Sequence, residues 1–282
     1  MVQAEKTAAF PKAASEIKQK PNENKGQESW VTRYKVWIST AAVVLFILVW
    51  EGCYQLGWLN PAFYSSPQRI VVAGIDAFVN GNLLNDLFIT AQEFVGGFLI
   101  AVVVGVTFGI LMGWYPLINA IFEPFTNALF ATPRIVLLPL VTLIFGIGIE
   151  SKFVLVFLGA VFPILINTMV GISKVDQNLL RVARAFNASD MQLFRTLAVP
   201  ASIPFIITGI RLGMSTSLVT CIASEMMISS GGIGNYVMTA SSQFRSDQLF
   251  LGIIIVALFG VLMTSIIKRI EARFDSWRVN QK

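Results

Sequence analysis

The chain predicts an all-α integral membrane protein with six transmembrane helices, and three observations carry that expectation. Hydrophobic residues fill 55% of the 282 positions and charged residues only 13%, about half the ~25% of an average soluble protein. Mean hydropathy is +0.69. Six nearly uncharged runs each approach the ~20 apolar residues that carry a helix across a bilayer. A soluble globule of this size needs more polar surface than the chain offers, so an ordinary soluble enzyme, a disordered protein and a coiled coil are excluded.

Residues 1–30 are rich in Lys, Gln, Glu, Asn and Ala without an apolar period, and predict a disordered cytoplasmic tail. No apolar core follows a short basic start, so the segment does not read as a secretory signal. The first transmembrane helix falls within 31–60, as the run Val36 to Gly57 with Glu51 near its far end. Residues 61–85 form an external connection. In it, Pro67 to Asn82 places Ile70, Val71, Ile75, Phe78 and Val79 as the apolar face of a short amphipathic helix on the membrane surface. The main membrane domain is expected over 86–272 and a cytoplasmic tail over 273–282. Its spans are Thr90 to Trp114, Ile121 to Gly146 with Arg134 inside, the uncharged Phe153 to Ser173, Pro200 to Ser229 with Arg211 and Glu225, and Gln248 to Ile267.

Basic residues orient these spans. With the N-terminus in the cytoplasm, sixteen Lys and Arg fall inside: seven through Lys35, four between spans four and five (Lys174, Arg181, Arg184, Arg195) and five from Lys268 onward. Outside lie Arg69, Lys152 and Arg245. That bias fits cytoplasmic termini, and explains a pI near 9.3 without nucleic acid. Span two repeats small residues every fourth position, Gly97, Ala101, Gly105, Gly109 and Gly113. On a helix they make one smooth stripe that lets another helix approach closely, and assembly of a dimer is expected to rest on it.

There is no histidine, which removes Ser/His/Asp and Cys/His catalysis, HExxH zinc sites and histidine proton relays. No metal ligands are assigned. Cys53 and Cys221 lie in apolar runs and read as free thiols.

The longest polar stretch after the head, within an elbow over 176–199, predicts two short helices with a break. Asp176 caps the first. Asn187 suits a left-handed C-terminal position. Ser189 to Gln192 forms a capping box that starts the second, which is expected to end where Val199–Pro200 enters span five, with Pro200 at a helix start. Such an elbow on a chain without catalytic machinery points to docking of a cytoplasmic partner.

The run Arg181-Val182-Ala183-Arg184-Ala185-Phe186-Asn187-Ala188-Ser189, followed by Val199-Pro200, resembles the EAA motif of bacterial ABC importer permeases. Phe145–Gly148, Phe162–Thr168, Gly209–Leu212, Ala223–Met226 and Ser229–Gly234 are similar to the nitrate/sulfonate/taurine-type branch. In the motif, Arg181 replaces Glu, Val182 replaces Ala, Asn187 replaces Gly, and Val199 replaces the Leu before proline. The resemblance implies the type I importer permease fold in a bacterial inner membrane. It implies P-loop ATPase subunits docked on the elbow, a second permease copy, most simply a homodimer, and an external solute-binding protein. It places ATP and Mg on the ATPase, with no cofactor on this chain, which has no GxxxxGK[ST] loop. The solute expected is a small anion such as nitrate, a sulfonate, taurine or bicarbonate. The coupling residues implied are Arg181, Ala183, Arg184, Phe186, Asn187, Ala188, Ser189 and Met191.

Charges within spans must face the protein interior or a water path. Glu93, Arg134 and Glu225 are therefore candidates for the substrate path, and Arg134, between Pro133 and Pro139, sits where the helix is interrupted. The alternative for Arg134 is a structural pair with Glu93 or Glu225. The alternative function is a self-contained secondary transporter or channel driven by an ion gradient.

Overall fold

The computed structural model describes residues 24–228 and 230–274. The chain divides into two units, 1–53 and 54–282. The first is a single element in its described part, α1 (Asn24–Gln55), with Val43, Leu45, Phe46 and Leu48 exposed as a lipid-facing surface requires. Residues 24–30, expected as disordered tail, belong to this helix. The rest of that tail and residues 275–282 lie outside the described residues.

The second unit contains α2 (Pro67–Val79), α3 (Leu83–Trp114), α4 (Pro116–Ala131), α5 (Leu138–Phe145), α6 (Ile149–Ser173), α7 (Gln177–Ala185), α8 (Asp190–Leu193), α9 (Val199–Ile228), α10 (Ile233–Ser242) and α11 (Ser246–Phe274). Among the described residues, five helical segments are long and apolar enough to span a membrane, and α4 with α5 supplies a sixth candidate.

The centre is the sandwich of α6 between α3 and α9, and small residues set its spacing. A Cβ added to Gly97 would lie 2.7 Å from the Phe153 carbonyl oxygen, one on Gly109 2.6 Å from Thr168 Cβ, and one on Gly113 2.6 Å from Ile172 Cβ. Gly105 meets Ile164 and the Val161 carbonyl at 3.0 Å, and Ala101 is fully buried. The opposite side of α6 repeats the device: a Cβ on Gly159 would meet Ser217 Cα at 2.9 Å, and one on Gly213 the Ala160 carbonyl at 2.9 Å. The predicted stripe is thus filled by α6 of the same chain rather than by a second copy. It holds the subunit together, which corrects its assignment to the dimer.

Two irregularities replace regular helix where proline stands. Span three is not one rod. Thr132 precedes Pro133 and is extended, with ψ 127°, as a residue before proline prefers. The chain bends by 96° between α4 and the segment Arg134–Phe145, restarting as a 3₁₀ turn over Arg134–Leu137. The elbow's second helix also does not end at Pro200. It widens into a π turn, Phe194–Ala198, in which the Val199 N–H donates to the Phe194 carbonyl. Pro200 has no N–H, and its ring would press on the Thr196 carbonyl in a regular helix. The wider turn relieves that contact, so helical structure continues over Asp190–Ile228.

The amphipathic helix forms where expected. Ser66 caps α2 by accepting from the Arg69 N–H at 3.4 Å. Ile70 and Ala77 are buried while Val71, Ile75, Phe78 and Val79 are exposed. Arg69 pairs with Asp247 at 2.8 Å, and Ser65 donates to the same carboxylate at 2.7 Å, fixing α2 to the start of α11.

Gly109→Leu is expected to destabilise the subunit by about 1–3 kcal/mol through overpacking, seen as a lower thermal midpoint in detergent. Gly52→Leu, at a position where an added Cβ would meet nothing within 4 Å, should leave the midpoint unchanged. Equal midpoints for both variants would show that the seam does not hold the subunit together.

Candidate functional site

The elbow is built by local hydrogen bonds that its sequence specifies. Asp176 accepts from the Asn178 N–H at 2.8 Å and starts α7. Asn187 adopts φ 58°, the left-handed conformation Asn tolerates better than most residues. The Ala188 N–H then closes on the Ala183 carbonyl at 3.1 Å and the Asn187 N–H on the Arg184 carbonyl at 2.9 Å, the paired bonds of a Schellman ending. Ser189 and Gln192 complete the capping box: the Ser189 N–H donates to Gln192 Oε1 at 2.8 Å, and Ser189 Oγ accepts from the Gln192 N–H at 3.3 Å. Arg184 approaches Asp190 across the break at 3.5 Å. Both are solvated, so this pair adds little stability.

One side of the elbow is anchored. Leu180 and Phe194 pack on the buried cluster of Ile172, Val175 and Ala198, with Ile110 and Trp114 of α3. The Trp114 and Phe194 rings meet edge to face at 5.2 Å. The other side is apolar and bare. Phe186 is 83% exposed, Met191 56%, Val182 56% and Leu179 54%. Ala183 and Ala188 lie half-buried between them, and Arg181 is exposed. The structure thus brings together the coupling residues expected from sequence and adds Leu179 and Val182. Their apolar character was visible in the sequence, but which face of α7 packs inward was not.

The three candidate path residues separate. Glu93 and Glu225 are 1% and 0% exposed. Lys152 Nζ, expected outside, is buried 2.6 Å from Glu93 Oε1. Glu225 holds the start of α10: its Oε1 accepts from Thr90 Oγ1 at 2.7 Å and its Oε2 from the Gly234 N–H at 2.7 Å. The next two amides are held from α3, Ile233 N–H by Thr90 Oγ1 at 2.9 Å and Gly232 N–H by Asp86 Oδ1 at 2.9 Å. Gly232 has φ +95°, and a Cβ there would fall 2.4 Å from Glu225 Oε1, so only glycine lets the turn close on this carboxyl group. These contacts make Glu93 and Glu225 packing and capping groups in the interior of the subunit, a correction to their place on a substrate path. Ligand atoms of Glu93, Cys221 and Glu225 lie within 4.8 Å of one another, but protein donors already occupy three of the four carboxyl oxygens, Glu93 Oε1 and both of Glu225.

Arg134 pairs with neither carboxyl group. It stands at the bend between α4 and α5 with its guanidinium 5.2 Å from the Phe130 ring centre. Its Nε and Nη2 are buried without a hydrogen-bond partner among the described residues. Arg211, in α9, forms an ion pair with Glu271 of α11.

A polar recess lies between α2 and the turn from α10 to α11. A cavity of about 750 Å³ is lined by Arg69, Asp76, Phe244, Arg245, Asp247 and Gln248, among others. The Tyr54 hydroxyl, and then Asp247, hold the Arg69 guanidinium above its already high ordinary pKa.

Residues 105–276 match the family model described as binding-protein-dependent transport system inner membrane component. The chain is similar to the putative aliphatic sulfonates transport permease protein SsuC of Bacillus subtilis, 30% identical over 279 residues that cover 99% of this chain and 98% of that protein. It is 26% identical over 253 residues to the taurine transport system permease protein TauC of Escherichia coli, covering 88% and 92% of the two. Among solved structures, an inward-facing MetNI methionine ABC transporter superposes with TM-score 0.59 at 20% identity, over 68% of this chain and 95% of that one, and so shares the fold. The chain therefore belongs to the binding-protein-dependent transport inner membrane family, as a multi-pass permease subunit of an ABC importer.

Proposed function

We propose that this subunit conducts a small anion of the sulfonate, taurine, nitrate or bicarbonate class inward and is driven by a separate P-loop ATPase docked on the elbow. The observation that carries this reading is the bare apolar face of Leu179, Val182, Phe186 and Met191 on a rigidly capped turn. Such a face needs an occupant, and burying one Phe or Met side chain contributes roughly 1.5–3 kcal/mol. ATP and Mg belong to the ATPase. An external binding protein delivers the solute, and two copies of this permease form the path. The similarity to sulfonate and taurine permeases supports the anion class. Neither the fold nor the relatives favour the gradient-driven alternative.

The elbow lies on the cytoplasmic side in this reading, with both termini. With Lys152 buried against Glu93, the charge asymmetry is sharper still. A cysteine placed at Ser189 should then react with an impermeant maleimide only from inside, and one at Ser242 only from outside. The reverse pattern would invert the topology.

Arg134 is the proposed path residue. Its unsatisfied N–H groups at a helix break suit transient contact with an anion better than a sealed pair does. Arg134→Gln should slow uptake several-fold while the ATPase still co-purifies. Uptake at the normal rate would take Arg134 off the path.

Coupling gives the decisive test. Phe186→Asp or Ala188→Asp places a charge in an apolar contact and should abolish ATP-driven uptake, with membrane insertion retained. Arg181→Glu should weaken docking to the cognate ATPase and be rescued by a charge reversal in its groove, because rim charges act mainly on specificity and association rate. Normal uptake in both aspartate variants would sink the assignment.

A further inference from the structure

Between α3, α6 and α9 the subunit buries two carboxyl groups against one ammonium. Glu93 and Glu225 are 1% and 0% exposed. Lys152 Nζ lies 2.6 Å from Glu93 Oε1 and is the one cation at the pair among the described residues. A carboxyl oxygen of Glu93 and one of Glu225 lie within 4.8 Å of each other, and Glu93 Oε2 is buried with no hydrogen-bond partner among the described residues.

Every other polar atom of the pair is accounted for. Glu93 Oε1 takes Lys152, while the Glu225 oxygens take Thr90 Oγ1 and the Gly234 N–H. Two ionised carboxylates beside one ammonium would leave a net negative charge in the buried interior of the subunit, which is strongly unfavourable. They would also set two acceptors side by side with no hydrogen between them. A metal ion fits poorly, because Lys152 already supplies positive charge and both Glu225 oxygens are engaged. What is missing is one positive charge and one hydrogen.

We propose that Glu93 and Glu225 bind a single proton between them, and that this proton is the link that fastens α3 to α9 and, through Glu225, to the start of α10. The titratable groups around it are few. α6 presents Lys152, α9 presents Cys221, and α3 presents Asp86, which is committed to the Gly232 N–H. α10 contributes backbone N–H groups and Tyr236, and α11 packs Phe259 against Phe94. With the proton bound, the two carboxyl groups and Lys152 are together neutral. Once it leaves, two carboxylates repel across the α3–α9 contact, and Glu225 loosens its hold on the glycine turn that opens α10. The proton is therefore a latch on that turn, a role independent of which solute the importer carries.

The test is infrared spectroscopy of the full-length permease in lipid at neutral pH. The wild type should show the carbonyl stretch of a protonated carboxyl group, and that band should be lost in Glu93→Gln and in Glu225→Gln. Hydrogen exchange gives a second readout. Raising the pH should speed exchange of the amides of Gly232, Ile233 and Gly234 in the wild type. It should leave them slow in Glu93→Gln, where an amide hydrogen takes the place of the proton. No protonated-carboxyl band in the wild type at neutral pH would overturn the proposal, and that measurement needs no variant to fold. A band surviving both substitutions, or a thermal midpoint raised by added zinc and lowered again by chelator, would overturn it as well.

Discussion

Contact between the backbone of α6 and those of α3 and α9 sets the dimensions of this subunit. In a bilayer, hydrophobic burial does not drive helices together, because lipid is as apolar as a leucine side chain. Dispersion across a close, continuous surface must do it instead. The glycines at 97, 105, 109 and 113 on one flank, with Gly159 and Gly213 on the other, bring carbonyl oxygens and Cβ atoms to the limit of contact. At that separation polar side chains from one helix reach the next. Lys152 meets Glu93 across the first seam, and the Thr216 hydroxyl reaches the Gly159 carbonyl at 2.7 Å across the second. Wider spacing would strand each of these groups in hydrocarbon.

Much of this was legible in the sequence because it is periodic or local. The fourfold spacing of small residues marked the face of α3 that packs. Asn187 and the Ser189–Gln192 box marked the elbow, since both act through backbone groups only a few residues away. The nearly uncharged runs marked the spans. The capping of α10 was half visible: Ser229–Gly234 read as a family feature, but nothing local said that Glu225, nine residues before Gly234, would accept from its N–H.

What stayed hidden depends on partners distant in the chain or on the choice between two proline geometries. Lys152 sits at the end of an apolar run, where counting charge assigns it to solvent. Its partner Glu93 is 59 residues away, and only the register of the α3–α6 seam brings the two together. The three candidate path charges looked alike because each is a charge in a span. Structure divides them by partner: Glu93 pairs with Lys152 and Glu225 caps the start of α10, while Arg134 keeps two buried N–H groups without a partner among the described residues. Pro133 and Pro200 carry the same local signal, yet one turns the chain by 96° and the other is absorbed by a π turn. The difference lies in Thr132, which goes extended, against Val199, which keeps helical φ and ψ and bonds back to Phe194.

That π turn also decides how the elbow can act on the membrane core. A flexible loop between α8 and α9 would dissipate a displacement of the elbow. Here the chain is helical from Asp190 to Ile228, and the turn sits directly on the cluster of Ile172, Val175 and Ala198, with Trp114 edge to face against Phe194. One packed layer therefore joins the elbow to the ends of α3 and α6 and to the start of α9. Close-packed interiors of this kind transmit strain rather than absorb it. A shift at Phe186 or Met191 has two routes inward, along α9 and through Trp114 into α3. They converge about seven turns further along α9, where Glu225 meets Thr90 and the first amides of α10. The seam, the elbow and the capped glycine turn are in this sense one continuous body of packed helix, bounded at one end by the exposed apolar face and at the other by the buried carboxyl pair.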